Sequence, residues 1–446
     1  MKRSATRDWR QLLGMAWPMA LRMLMLHGIV VVDAWLVASL GEEALAAMGL
    51  ASAVGGLLLG AQNAFSNAAQ ILVAQAWGSG RPEALRSNYR TSVLINLSVC
   101  AIGLGFLALS AEPILRASAH SEEVFLGARN YLLIFSGVVI AEAFGQSLSA
   151  FFNGCGETRA PFYSYVFSVP INIALSYALI HGVWGMPALG LAGAALGSVV
   201  GSAVRAGYLL FRVSQDQGHW RSAQLEPLWP AARRHLAFAL PIAATFFSAQ
   251  ASASVCMLIY AAYDVYQFAA LTLMLPWVHV AGTFGMAWAQ ATGIVVAQHL
   301  GQGGGRAKLD AFLWMAWRGV MVSSLAVAAI YACVVLFAGE IYDGIDGRTR
   351  AALLTFLPTL LLLPWPKNSN AICGNTLRAA GRTVYVMHIF VWPQWAFKVP
   401  LSAAMVLWWH APVGWVFAIL FAEELLKFIP FHRGLLWGEW KRSLPD

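Results

Sequence analysis

The chain has 446 residues, 59% of them hydrophobic and 11% charged, with a formal net charge of +8. Soluble proteins run at roughly 45–50% apolar and about 25% charged, so a soluble fold is excluded: too much apolar surface would need hiding. The apolar runs are neither short nor alternating, which excludes a closed β-barrel. Each is long enough to cross ~30 Å of hydrocarbon as a helix.

The charged leader MKRSATRDWR precedes the first run. A secretory signal would show a shorter apolar core and a small-residue cleavage site, and neither is present. In chain order the expected spans are 11–38, 47–75, 88–110, 127–152, 161–182, 187–212, 236–262, 267–299, 312–338, 350–374, 385–408 and 412–430, which makes twelve. The expected fold class is all-α and polytopic, with an N-terminal six-helix lobe over 1–215, a cytoplasmic linker over 216–235 and a C-terminal six-helix lobe over 236–446.

The basic residues sort by side. With a cytoplasmic N-terminus, one face carries the leader together with Arg81, Arg86, Arg90, Arg159, Arg221, Arg233, Arg234, Arg306, Lys308, Arg378, Arg382, Arg433, Lys441 and Arg442. The other carries Arg116, Arg348 and Arg350 among the acids Glu42, Glu43, Glu122, Glu123, Asp343 and Asp346. That asymmetry is the positive-inside pattern. It places both termini in the cytoplasm and reads the net charge as a topology signal rather than a nucleic-acid surface. The five cysteines show no metal-ligand spacing and read as small packing residues.

LVAQAWGSG ends at Gly80 and VVAQHLGQG at Gly303, so Val73 and Val296 stand 223 residues apart, half the chain length. Pro18 and Pro241 keep this register, and NGCGETR around Gly156 returns as RAAGRT around Gly381 with a two-residue slip. Two copies of an even-numbered six-span unit cross the membrane in the same orientation, a parallel repeat. The Gly-x-Gly falls where the second span of each half must stop, and glycine adopts the left-handed cap conformation at little cost. A phosphate loop is a poor reading, because these glycines follow a membrane helix and not a strand.

Asp33 sits in the apolar stretch VVVDAWLV. An ionised carboxylate at that depth costs about 2.5 kcal/mol or more unless it meets a polar cavity, and a carboxyl that is neutral when buried and charged when wet can carry a proton. Glu142, with Gln146 one turn on, is a candidate either to contact a cationic substrate or to partner an arginine such as Arg205. His27 and His279 read as hydrogen-bonded packing residues. Arg22 is expected to snorkel to the inner interface. Glu423, Glu424 and Lys427 have helical ion-pair spacing and are expected to be solvated, which leaves Lys367 as the only convincing intramembrane base.

PMALRMLMLHGIVVVDAWLVASLGEEALAAMGLA and FFNGCGETRAPFYSYVFSVPINIALSYALIHGVWGMPALGLAGAAL, followed in the second half by VVAQHLGQG and LRAAGRT, resemble the multidrug and toxic compound extrusion (MATE) family over nearly the whole chain. The resemblance implies a MATE-like fold of two pseudo-symmetric six-helix bundles. It also implies an inner-membrane antiporter that exports organic, often cationic, compounds by alternating access, with no cofactor, no covalent chemistry, membrane lipid around it, and a monomeric state. Asp33 falls where the DinF-like members carry an aspartate implicated in cation coupling. Asn172 matches the asparagine placed near it, while Ser176 stands where many members have a second aspartate and Ser198 where a threonine is common. The missing carboxylate favours H⁺ over Na⁺, with Asp33 and Asn172 as oxygen donors for Na⁺. Lys367 and Asn370, three apart and so on one helix face, follow the DinF-like pattern and are expected with Glu142 and Gln146 in the substrate cavity. The alternative is a flippase for a lipid or lipid-linked substrate. A membrane enzyme ranks last, since no nucleophile–base pair or metal-spaced cluster is seen.

Overall fold

The computed structural model describes residues 2–215, 226–342, 345–442 and 444, with side chains from Asp8 onward. Arg221, Asp343 and residues 216–225 of the expected linker therefore lie outside the described residues. Nine long helices come first: α1 (Lys2–Ala38), α2 (Glu42–Gly78), α3 (Pro82–Ser118), α4 (Glu122–Gly154), α5 (Arg159–His181), α6 (Leu191–Gln215), α7 (Leu228–Tyr260), α8 (Val265–Gly301) and α9 (Arg306–Leu336). All nine are long and apolar enough to cross a membrane. Each of the first nine expected spans falls on one of these helices, with ends that differ by up to nine residues. The sixth begins at Leu191 rather than 187, because Gly185 and Gly190 take left-handed backbone conformations ahead of it. Residues 228–235, expected as linker, are the first turns of α7.

The remaining spans are interrupted. After the short α10 (Ala338–Ile341), the tenth is built from α11 (Gly347–Thr355), α12 (Leu357–Leu362) and α13 (Pro364–Ala379). Pro358, Pro364 and Pro366 supply no N–H to the ladder, which is where an unbroken helix cannot run. The eleventh is α14 (Thr383–Trp392) and α15 (Val399–Ala403), with π-helical stretches at Pro393–Lys398 and Ala404–Trp408. Prolines open or follow the first of these, and π-bulges commonly accompany functional positions. The twelfth is α16 (Val413–Trp437), followed by the short α17 (Glu439–Arg442). The architecture is all-α, with twelve membrane segments in two bundles.

The repeat is realised bond for bond at two helix ends. Ser79 N–H donates to Gln75 O at 3.0 Å and Gly80 N–H to Trp77 O at 3.1 Å; Gln302 and Gly303 do the same to Gln298 and Leu300, at 3.0 and 3.1 Å. The turn residue is the second glycine of each motif, with φ of 64° at Gly80 and 67° at Gly303. At the other pair of turns, Glu157 N–H reaches back to Phe152 O at 2.8 Å and Arg382 N–H to Leu377 O at 2.9 Å, around Gly156 and Gly381 with φ of 89° and 80°. These are the six-to-one bonds of a Schellman cap.

The chain forms two compact units, Leu21–Leu240 and Met1–Ala20 with Pro241–Asp446. The division falls within α1 and α7, close to the matched prolines Pro18 and Pro241, and not at the interhelical linker. The N-terminal unit has a core of Leu36, Ala51, Phe125, Tyr131 and Ile180, among others. The C-terminal unit centres on Phe356 stacked on Phe417, ring centroids 4.2 Å apart, and Trp9 packs on Trp288 at 5.2 Å. Side chains such as Trp35, Leu109, Leu133 and Leu258 are exposed, as lipid-facing positions of a membrane bundle are.

A Cβ added at Gly381 would have nothing within 4 Å, so only the left-handed backbone opposes a substitution there. Gly381→Ala is expected to cost about 1–2 kcal/mol, read as a lower thermal unfolding midpoint in detergent. Gly381→Asn is expected to lose less, and an unchanged midpoint for both would show that the turn does not need its positive φ.

Candidate functional site

The N-terminal unit encloses a cavity of about 290 Å³ lined by Asp33, Asn172, Ser198, Glu142, Gln146, Tyr165 and Arg205, among others. Helix α6 makes it possible. Gly193, Gly197 and Gly201 recur every fourth residue along α6, and small residues at that interval let membrane helices approach backbone to backbone. A Cβ on Gly197 would sit 2.1 Å from Ser176 Oγ, and one on Gly201 would sit 2.8 Å from Asn172 Cβ. α5 therefore lies directly on α6.

That contact sets a polar relay. Asn172 Nδ2 donates to Ser198 Oγ at 3.2 Å, and Ser198 Oγ donates to Asp33 Oδ2 at 3.3 Å. The second oxygens, Asp33 Oδ1 and Asn172 Oδ1, are buried and accept no hydrogen bond. Both are pure acceptors with unused lone pairs. Ser176 does not join them: its hydroxyl donates at 3.5 Å to the Ala194 carbonyl, fastening α5 to α6. Three of the four residues expected to couple a cation thus come together, and the fourth supports them.

The second group in the cavity is an ion pair. Glu142 and Arg205, both buried, form a salt bridge. Gln146 Nε2 donates to Glu142 Oε2 at 3.0 Å, and Arg205 donates to the Tyr165 hydroxyl while its guanidinium lies 4.7 Å from the Tyr165 ring centre. Gly145 leaves the space for that guanidinium, since a Cβ there would be 2.8 Å from Arg205 Nη2. Of the two readings of Glu142, the arginine partner is the one this geometry holds. Arg22 stands within electrostatic reach of Glu142, Tyr165 and Arg205. His27 and His279 bond back to the carbonyls four residues earlier, Met23 at 2.7 Å and Leu275 at 2.9 Å.

The C-terminal unit corrects two expectations. Glu423 and Lys427 are not solvated but 5% and 3% exposed. Lys427 Nζ lies 2.7 Å from Glu423 and 3.1 Å from Glu424, and Lys398 Nζ lies 3.3 Å from Glu423. The π-helical stretch ending at Lys398 changes the register of that segment and carries the lysine inward. Lys367 is therefore not the only intramembrane base, since Arg205, Lys398 and Lys427 are buried as well. Asn370 gives its amide to the Glu424 backbone carbonyl and carboxylate, both at 2.8 Å. The Lys367 side chain feels Glu424 and Glu423 electrostatically and makes no hydrogen bond among the described residues. Lys367 and Asn370 thus lie in this network, in the C-terminal unit, and not in the cavity that holds Glu142 and Gln146.

The family model MatE matches residues 18–178. A probable multidrug resistance protein NorM of Rhizobium meliloti is 26% identical over 89% of this chain and 87% of its own. One from Bradyrhizobium diazoefficiens is 28% identical over 91% and 88%. A crystal structure of MATE in the bent conformation superposes with a TM-score of 0.84 at 17% identity, covering 98% of this chain and 96% of that one. The chain is thus similar to MATE transporters in sequence over most of its length and in fold over nearly all of it. The fold likeness covers 98% of the chain, and so both of its halves.

Sequence reasoning missed the α6 glycine stripe, although its four-residue interval was there to read. It also missed Lys398, whose inward direction depends on a π-helical turn that no residue spacing announces. Arg205→Gln is expected to be the severe change in the Glu142 pair, leaving a buried carboxylate uncompensated at a cost of about 3–5 kcal/mol. The double variant Glu142→Gln/Arg205→Gln should recover much of that loss in unfolding midpoint. A double variant no more stable than the single would mean that the pair is not coupled.

Proposed function

We propose that the protein is a cation-coupled multidrug antiporter of the inner membrane, with H⁺ as the coupling ion and Asp33 as its carrier. The observation that carries this reading is the Asp33 carboxylate itself: one oxygen holds a single serine hydroxyl and the other is buried without a donor. Left ionised, such a group is costly in hydrocarbon. A proton removes the charge and gives the group a donor of its own. Loading and release of that proton can follow the change between a dry and a wet cavity, which alternating access supplies.

Asn172 and Ser198 hold Asp33 in place through the relay, and Ser176 supports α5 against α6. Glu142 and Gln146 form a polar wall already neutralised by Arg205. At about 290 Å³ the cavity is at the lower limit of drug-sized pockets, which suits the coupling site better than the whole substrate site. Lys367 and Asn370 are proposed as substrate contacts from the C-terminal unit. The names of the relatives, probable multidrug resistance proteins, support organic compounds as cargo. A small-molecule cargo, no cofactor and a monomeric state complete the reading. Na⁺ is the second reading, since the two unpartnered oxygens of Asp33 and Asn172 could also serve as ligands for a hard cation. A lipid flippase stays the alternative of a different class.

The test is efflux of a fluorescent cationic dye from proteoliposomes under an imposed pH gradient and, separately, a Na⁺ gradient. Wild type is expected to respond to the pH gradient alone, and Asp33→Asn to lose transport at unchanged expression and unfolding midpoint. Response to Na⁺ alone would replace H⁺ as the coupling ion. Failure of both gradients to move the dye in the wild type would remove the drug reading.

A further inference from the structure

The turn between α13 and α14 meets the end of α16 in a second cavity of about 340 Å³, within the C-terminal unit. Its charged residues are Arg382, Arg433 and Arg442 against a single acid, Glu439. Arg382 Nη2 shares that acid at 3.3 Å. The side chains of Arg433 and Arg442 make no hydrogen bond or ion pair among the described residues. The cavity therefore holds two guanidinium groups beyond what its own carboxylate neutralises.

The walls are built. Tyr385 donates to the Pro430 carbonyl at 2.8 Å, and the Trp440 indole donates to the Gly434 carbonyl at 3.0 Å, closing the last turn of α16. Gly434 permits the close approach of Tyr385, since a Cβ there would lie 2.6 Å from its ring. Lys441 is held by Asp310 of α9, which fixes the short α17. The cavity also faces the start of α14, whose N-cap Arg382 offers no side-chain bond to the first turn. Free backbone N–H groups at a helix N-terminus favour an anion.

The internal repeat shows that this charge is not a by-product of the fold. Gly156-Glu157-Thr158 and Gly381-Arg382-Thr383 are the same turn with the same cap. In the N-terminal unit Glu157 lies 3.9 Å from Arg212, an acid answering an arginine. In the C-terminal unit the acid is replaced by Arg382. The same turn thus carries an acid in one copy and an arginine in the other.

We propose that this corner binds the phosphodiester headgroup of an anionic phospholipid. Basic pockets between membrane helices at a positively charged face take such headgroups, and this corner lies on the face that carries the arginine-rich loops. Trp437 is 66% exposed at the rim. An amphipathic ring there serves a molecule with a glycerol and acyl part, which a free phosphate lacks. The inference is independent of which ion or cargo the transporter carries.

The test uses the purified full chain in detergent, with lipid retention followed by native mass spectrometry and thermal unfolding. Probes are micelles doped with phosphatidylglycerol or with phosphatidylcholine, and inorganic phosphate alone. Phosphatidylglycerol is expected to be retained and to raise the unfolding midpoint, and phosphatidylcholine to do neither. Arg433→Gln/Arg442→Gln should bind roughly 30-fold more weakly. Both side chains are exposed, so the unliganded midpoint should hold. Arg382→Glu, which restores the acid of the N-terminal turn, should show the same loss. An equal, arginine-dependent shift with inorganic phosphate would keep the phosphate site but assign it to a free ion. Undiminished phosphatidylglycerol binding in both variants, or equal binding of phosphatidylcholine, would overturn the proposal.

Discussion

Hydrocarbon offers no hydrogen bonds, so every charge and backbone group that the chain takes below the membrane surface must find its partner within the protein. The two units answer that demand with networks rather than single pairs. In the N-terminal unit Arg205 balances Glu142, with Gln146 donating to the acid and Tyr165 accepting from the guanidinium. In the C-terminal unit Lys398 and Lys427 converge on Glu423 and Glu424. Against that background Asp33 stands out, because its second oxygen is left without a donor. Glu142, Glu423 and Glu424 each lie in an ion pair, whereas Asp33 has none among the described residues.

The two halves share a backbone and differ in charge. Helix ends after α2 and α8, and after α4 and α13, are closed by the same bonds around glycines of the same left-handed conformation. On this common frame the N-terminal unit places an unpaired acid, whereas the position matched to Asp33 by the repeat is Cys256. The C-terminal unit instead gathers Lys367, Lys398 and Lys427, buried or half-buried, around Glu423 and Glu424. A duplicated scaffold has thus been divided between an acidic relay and a basic network. Breaks in the second copy's tenth and eleventh segments, at prolines and π-helical turns, add backbone irregularity in the unit that holds the basic network.

Most of the fold was legible because its signals are local. Long apolar runs, the 223-residue repeat and the Gly-x-Gly stops report on helices and their ends one segment at a time. The site was legible in part. Asp33 declared itself by its apolar surroundings, and Glu142 by the same rule. Glu423 and Lys427 were misread because their i, i+4 spacing looks the same on a solvated helix end as in a buried network. Only the arrival of Lys398 and Asn370 from other segments distinguishes the two.

By itself the sequence determined an all-helical membrane chain, its internal duplication, the left-handed glycine turns and the presence of an acid in the first span. These depend on hydropathy and backbone freedom, which each residue carries with it. Only the tertiary structure decided that Arg205 neutralises Glu142, that the α6 glycines bring Asn172 to Ser198, and that three arginines meet in one corner behind α16. Those outcomes depend on distances between segments far apart in the chain, set by how closely two backbones can pack.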